Sequence, residues 1–441
     1  MNGEEIKSMS TKYVLQSWSK QGGLNPIPIQ RAEGIYLFDF DGNRYSDMSS
    51  QLVNLNLGFS NGAIANAIKE QVDMYCFVAP SYASEPRAIL GKMIIDLLPD
   101  NFGKIFFTNS GAEANENAIK MARMYTGRNK IFSRYRSYHG SSFGAGNMTG
   151  EPRRFPLEPG IPGFIKFFDP YIYREKINFE SEEQATEFYI SKLEEQLNYE
   201  NTDSVAAIVL ETITGSNGII IPPTGYMQGI RKLCDKYGIM MICDEVMTGF
   251  GRTGTMFGFE NFDVKPDIVT FAKGVTCGYV PLGGAAVSKE IAKYFDDHFL
   301  SCGSTYSGHP LACAAGIASV NYYKDANILD NVKTVGKVLG DILLELKEKH
   351  KSIGDVRCIG LFSAIELVKD RTTKEPLVPY GKDVDQTMGK IIGMLRAKRF
   401  MTYAHENMIL VCPPLIITEE QLREEMVKLD EVLSVVDKDF I

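Results

Sequence analysis

The chain has 441 residues, 44% of them apolar and 23% charged, with a formal net charge of −8. That length exceeds what one hydrophobic core usually supports and predicts two or more lobes of an ordinary globular protein. The negative balance argues against a nucleic-acid or anionic-membrane surface, which needs a basic patch, so the expected partners are small molecules. No apolar stretch reaches the roughly 18 residues of a membrane-spanning helix, and the opening MNGEEIKSMSTK is polar and acidic, unlike a secretory leader. Eight cysteines are scattered without a CxxC pair or a zinc-like His spacing. Free thiols in a reducing cytoplasm, with no metal, are the simplest account.

Residues 1–30 read as an extended arm followed by a turn-rich stretch, QGGLNPIPIQ. Trp18, the only tryptophan, either anchors packing or lines a pocket. From Ala32 to Asp47, Asp41-Gly42 separates two alternating runs and predicts a hairpin, hence a small antiparallel sheet ahead of the main domain. A helix follows over Ala63–Met74, and strands alternate with helices to about residue 320, the order of a mostly parallel sheet.

In KIFFTNSGAEANENAIKMARMYTG, Ile105–Thr108 read as a strand, Asn109 and Ser110 as a turn, and Ala112 onward as a helix. A strand, a tight turn and a helix start can cradle a phosphate: Gly111 lets the backbone approach, the first-turn amides donate, and the helix dipole favours an anion. Ser110 with Glu113 three residues later is equally a plain capping box. Beyond the strand at Ile131-Phe132, Tyr138 and His139 precede small residues, and an aromatic there can stack on a planar ring.

Two continuous apolar runs end in acids, SVAAIVLE at Glu211 and GIMMICDE at Asp244 and Glu245. A carboxylate at such a strand end can hold a pyridine nitrogen protonated. Gly249, Gly251 and Gly254 in GFGRTG fit the dinucleotide GxGxxG pattern, but TMFGFENFDVKP lacks the helical periodicity that must follow. Ile268–Ala272 form another buried-strand run, and Lys273 stands at its end, where open α/β sheets bind ligands. A desolvated amine there is a nucleophile toward aldehydes; an isolated surface lysine is the alternative.

NSGAEAN at 109–115, YHG at 138–140, DEVMTGFGRTG at 244–254, FAKG at 271–274 and TYSGHP at 305–310 together resemble the class III aminotransferases, pyridoxal-phosphate enzymes of fold type I. The resemblance runs from AEGIYLFDFDGN to CPPLI. It implies an α/β fold with a mostly parallel central sheet flanked by helices, and a smaller α+β domain from both chain ends. The implied division is 1–58 (small domain), 59–320 (large domain) and 321–441 (small domain), with helices at 326–349, 382–398 and 419–436 and strands at 361–367 and 408–412. It also implies that Lys273 forms the Schiff base, that Asp244 pairs with the pyridinium nitrogen, and that Ser110, Gly111 and Ala112 hold the phosphate. Thr305 of a neighbouring subunit would reach the same phosphate, so a homodimer with composite sites is expected. Tyr138 and Val246 would press on the two ring faces, and Glu211 would be a pocket carboxylate.

Many members of the family carry a second Glu after the first and a late Arg before PPL. Those places fall here on Ser216 and near Tyr403. An anion must then be met by Arg153 or Arg154 in GEPRR, or by His405 or the Arg396 and Arg399 region, unless each is surface charge. The run YRSYHGSSFGAGNMTGEPRRFPLEPGIPGF resembles the ω-amino branch, which includes taurine aminotransferases. The expected reaction moves an amino group from taurine, β-alanine or a similar ω-amine to 2-oxoglutarate or pyruvate. Amino-group isomerisation, or a non-enzymatic or NAD-binding role, are the alternatives.

Overall fold

In a computed structural model describing residues 1–383 and 386–441, the strands that precede the predicted site residues lie side by side. Phe102–Thr108 (β1), Lys130–Arg134 (β2), Phe164–Phe167 (β3), Val205–Glu211 (β4), Met240–Asp244 (β5), Ile268–Phe271 (β6) and Gly283–Ser288 (β7) form one sheet in the order β1-β7-β6-β5-β4-β2-β3. β7 is antiparallel to β1 and β6, and the other pairs are parallel. Every residue of β4 and of β6 is buried, which is why both read as unbroken apolar runs.

Strand alternation divides the core in two. Ile131, Val209, Ile242 and Ala285 pack against Ala118, Met121 and Ala122 of the helix Gly111–Thr126. Ile208, Leu210, Met241, Cys243, Val269 and Phe271 face the other way and join Tyr226, Met227 and Ile230 of the helix Tyr226–Tyr237. With helices on both faces, the carboxyl ends of β4, β5 and β6 are where a ligand has room.

The expected extended arm is instead a helix, Gly3–Tyr13. Its start is a capping box in which Asn2 and Glu5 each accept the other's backbone N–H, and none of its residues is buried. The predicted hairpin is present as Tyr36–Asp39 and Arg44–Asp47, with Ile29–Glu33 added on one edge. Phe400–Met401 pairs in parallel with Arg44–Asp47, so the two chain ends share a sheet.

The C-terminal part has a second sheet built on Ile353–Ile359, Phe362–Asp370, Ala404–His405 and Met408–Val411. The strand Ile353–Ile359 was not expected. Its helices are Ile328–Lys349, Thr387–Ala397 and Glu419–Asp439. The second starts later than the expected 382, and positions 384 and 385 of that expectation lie outside the described residues.

The GFGRTG run opens no helix; only a short 3-10 turn, Gly258–Phe262, follows it. Its Arg252 is wholly buried and donates to the Leu361 and Pro413 carbonyls at 2.9 and 2.6 Å, and to Ser50 Oγ and Asn56 Oδ1 at 3.0 and 2.8 Å. One guanidinium therefore clamps the N-terminal segment, the large sheet's loop and the C-terminal segment. Among the described residues, no helix is long and apolar enough to cross a membrane.

Candidate active site

The parallel register sets Glu211 beside Asp244 and Asp244 beside Thr270, three residues before Lys273. Successive side chains at a strand end point to opposite sides, which separates Asp244 from Glu245. Glu245 turns away and accepts from Thr212 and Thr248 hydroxyls and from the Gly258 and Phe259 N–H groups. Asp244, 3% exposed, turns into the site. Its Oδ2 meets Asn115 Nδ2 at 2.8 Å and His139 Nδ1 at 2.7 Å, and its Oδ1 accepts the Val246 N–H at 3.0 Å. Asn115 is itself oriented by Thr270, whose hydroxyl donates to Asn115 Oδ1 at 2.8 Å.

Lys273 takes a left-handed backbone conformation, φ +45°, uncommon for a residue with a side chain and often found where a site constrains the chain. Burial brings its amine down from 10.5 to about 8, although the Asp244 and Glu211 carboxylates pull it upward. Burial also pushes the Glu211 carboxyl above its ordinary value, against the pull of His139. Glu211 accepts the Tyr138 N–H at 3.0 Å and the Gly215 N–H at 2.7 Å, so it orients the loops on either side.

At the start of the helix Gly111–Thr126, Ser110 is the N-cap. Its hydroxyl accepts the Glu113 N–H and its carbonyl accepts that of Ala114. The Gly111 and Ala112 N–H groups are the first-turn donors without an intrahelical acceptor. A Cβ on Gly111 would lie 2.8 Å from Val246 Cγ2, so only glycine allows Val246 to sit this close. Thr305 is exposed on a segment fastened beside β1, where Asn109 Nδ2 donates to Ser304 Oγ at 3.1 Å and Ser307 Oγ to the Phe107 carbonyl at 2.7 Å.

The structure separates the two candidate arginines. Arg153 lies 3.9 Å from the Tyr138 ring centroid and 5.1 Å from that of Trp18, and Trp18 meets Tyr138 edge-on at 6.3 Å. The Arg153 Nε donates to Glu151, which is buried, while one terminal nitrogen, Nη2, is buried without a partner among the described residues. Arg154 leaves in the opposite direction, pairing with Glu158 and the Gly150 carbonyl. Arg154, expected with Arg153 as a pocket residue, has its guanidinium on Glu158 and over the Phe155 ring, although its side chain is as half-buried as that of Arg153. Trp18 is 60% exposed and does not anchor a core.

Arg396 and Arg399 are bound to Asn25 and Asn43 at the edge of the small sheet and do not join the group. Tyr403 packs with Ile213, Met247 and Cys412, and burial raises its phenol. Among the described residues, the Ser216 hydroxyl finds its hydrogen-bond partner in the Met247 sulfur, at 3.8 Å. Asn115 and His139 went unassigned from sequence. Asn115 could have been found, since it stands one turn after Gly111 on the same helix face.

The aminotransferase class-III family model matches residues 18–433. The taurine–pyruvate aminotransferase of Bilophila wadsworthia is 32% identical over 99% of the chain and 98% of its own length. The crystal structure of the taurine:2-oxoglutarate aminotransferase of Bifidobacterium kashiwanohense, solved with PLP and glutamate, superposes with a TM-score of 0.98 at 55% identity, covering 100% of this chain and 99% of that one. An (S)-enantioselective omega-transaminase of Thermomicrobium roseum gives 0.93 at 34% identity over 99% of both chains.

Proposed function

The chain belongs to the class III aminotransferases, which depend on pyridoxal phosphate, and on that premise we propose that it takes an amino group from an ω-amine with an anionic far end. Taurine and β-alanine are such donors, and a 2-oxo acid, 2-oxoglutarate or pyruvate, accepts the group. The names of the two taurine aminotransferases support this choice. The observation that carries it is Arg153, a guanidinium laid over Tyr138 with an unmet donor in place of the family's late arginine. A sulfonate offers three acceptor oxygens to such a group.

The residues present fit the cofactor. Two free N–H groups head the helix Gly111–Thr126, the carboxylate of Asp244 is buried, and His139 Nε2 is a buried nitrogen with no partner beside it. When bound, pyridoxal phosphate supplies an aldehyde and a protonated ring that draws electrons from the substrate's amine-bearing carbon. Ser110, Gly111 and Ala112 bind the phosphate. Asp244 holds the proton at the ring nitrogen, with Asn115 and His139 orienting it. Tyr138 and Val246 would hold the ring, and Glu211 orients Tyr138 through its N–H. Lys273 Nζ, its pKa brought down by burial, would accept the proton from the amine-bearing carbon and deliver it to the carbon that was the aldehyde's. Its placement at a strand end lets it act without disturbing the core.

We also place the active unit as a homodimer in the cytoplasm, with the partner subunit's Thr305 closing the phosphate site. The exposed Phe299 and Tyr306 beside Thr305 support that face as the contact. The division into 1–58, 59–320 and 321–441 remains our working description of the lobes. The test is a half-reaction series on the holoenzyme. Taurine or β-alanine should convert the cofactor to its amino form faster than L-alanine does, and a 2-oxo acid should restore it. Faster reaction of α-amino acids, or turnover without any 2-oxo acid, would overturn the substrate reading; the second result would favour isomerisation.

A further inference from the structure

We propose that Asn217 is a specificity-determining residue of this pocket, its side-chain amide supplying a second donor beside Arg153 for the substrate's anionic end. The inference rests on the substrate reading above. Asn217 is wholly buried in the turn that follows β4. That turn is fixed at both ends: the Gly215 N–H donates to Glu211 at 2.7 Å, and Arg357 Nε donates to the Gly218 carbonyl at 2.7 Å.

Its amide is half satisfied. Oδ1 faces His405 Nε2 at 3.1 Å, whereas Nδ2 is buried and has no partner among the described residues. Several other buried asparagines place their donor on an acceptor, and Asn117 does so while leaving only its Oδ1 unmet. The side-chain amides of Asn56, Asn115 and Asn407 each reach a backbone carbonyl within 2.9 Å. An asparagine kept only for packing would be expected to do the same, since an unmet buried donor is costly.

The same small cluster contains Arg153, with its own unmet Nη2. Glu151 takes the Arg153 Nε–H on one oxygen, and its second oxygen lies 3.7 Å from the His405 nitrogen that faces Asn217. Burial, with Arg153 and Arg136 nearby, brings His405 down to about 4, so the imidazole is neutral at ordinary pH. With its proton on Nε2 the neutral ring donates to Asn217 Oδ1, the arrangement in which the amide's Nδ2 is turned away from the imidazole. His405 is then a positioning residue, and the two residues with idle donors, Asn217 and Arg153, are linked through it and Glu151. An oxyanion has enough lone pairs to take both.

The test uses amine-free anions, ethanesulfonate and propionate, titrated onto the purified holoenzyme by calorimetry. Cofactor absorbance and melting temperature serve as controls for folding. Loss of one donor to an anion should loosen ethanesulfonate about tenfold in Asn217→Ala. The isosteric Asn217→Asp, which turns a carboxylate on the anion, should loosen it further. Arg153→Ala should loosen it as well. If Arg153→Ala weakens binding while both Asn217 variants stay within twofold of wild type, Asn217 is not a donor and the substrate reading stands. If Arg153→Ala has no effect, or the wild type binds neither anion, both the substrate reading and this inference fail.

Discussion

His139 Nδ1 lies 2.7 Å from Asp244 Oδ2, with both side chains closed off from solvent. The pair makes Asp244 a held carboxylate, so its replacement tests charge separately from shape. Asp244→Asn should keep the fold but lose the proton at the ring nitrogen, lowering kcat by about a thousandfold, on the order of 4 kcal/mol. Single-turnover kinetics would show it. A loss of only a few-fold would remove Asp244 from this role.

Lys273→Ala should abolish turnover with little change in melting temperature. Borohydride reduction followed by peptide mass analysis should fix the cofactor to Lys273 in the wild type. Attachment at any other lysine would move the reactive amine elsewhere.

The amine at about 8 also sets a pH dependence. Only the neutral form attacks an aldehyde, so the rate at which apoprotein takes up pyridoxal phosphate should climb with pH and level off just above 8. An ordinary lysine would still be gaining rate past pH 10. A rate that climbs steadily to that point would show that Lys273 is not desolvated in solution.

Gly111→Ala should push its new Cβ into the Val246 methyl groups. Val246 must shift, and cofactor dissociation, followed by loss of absorbance on dilution, should become roughly tenfold easier, the equivalent of ~1.4 kcal/mol. Unchanged retention would mean that Val246 can give way freely.

His350 links two helices, with Nε2 2.6 Å from Asp430 and Nδ1 2.7 Å from Asp437. Both aspartates sit below their usual carboxyl value, because hydrogen bonds from Lys349, His350 and Ser352 outweigh burial. A depressed carboxyl gives stability that is present above about pH 3.8 and lost as pH falls through the lowered value. His350→Leu should cost about 2 kcal/mol in urea unfolding at neutral pH and flatten the acid limb. An unchanged acid limb would place the pH sensitivity elsewhere.

The strands that build the site were legible because β4, β5 and β6 are buried apolar runs, with Glu211 and Asp244 closing the first two and Lys273 standing two residues past the third. Charge pattern alone could not separate Arg153 from Arg154, since neighbours in a 3-10 turn leave it in different directions. The helix Gly3–Tyr13 escaped notice because it buries nothing, and its only strong signal is the Asn2 and Glu5 box. Asn217 and His405 are 188 residues apart in sequence, and nothing local to either announces the other.

Arg252 bears on how the chain reaches this structure. Its four acceptors lie 202, 196, 109 and 161 residues away, on both sides of it. Contacts of such separation form late, because long loops must close first. On the ribosome, Ser50 and Asn56 emerge long before Arg252, and Pro413 long after it. The N-terminal segment must therefore wait with its polar groups solvated until nearly the whole chain has been made. Truncation from the C-terminal end should leave a buried guanidinium unpaired, and so yield aggregation or degradation in place of a stable large lobe.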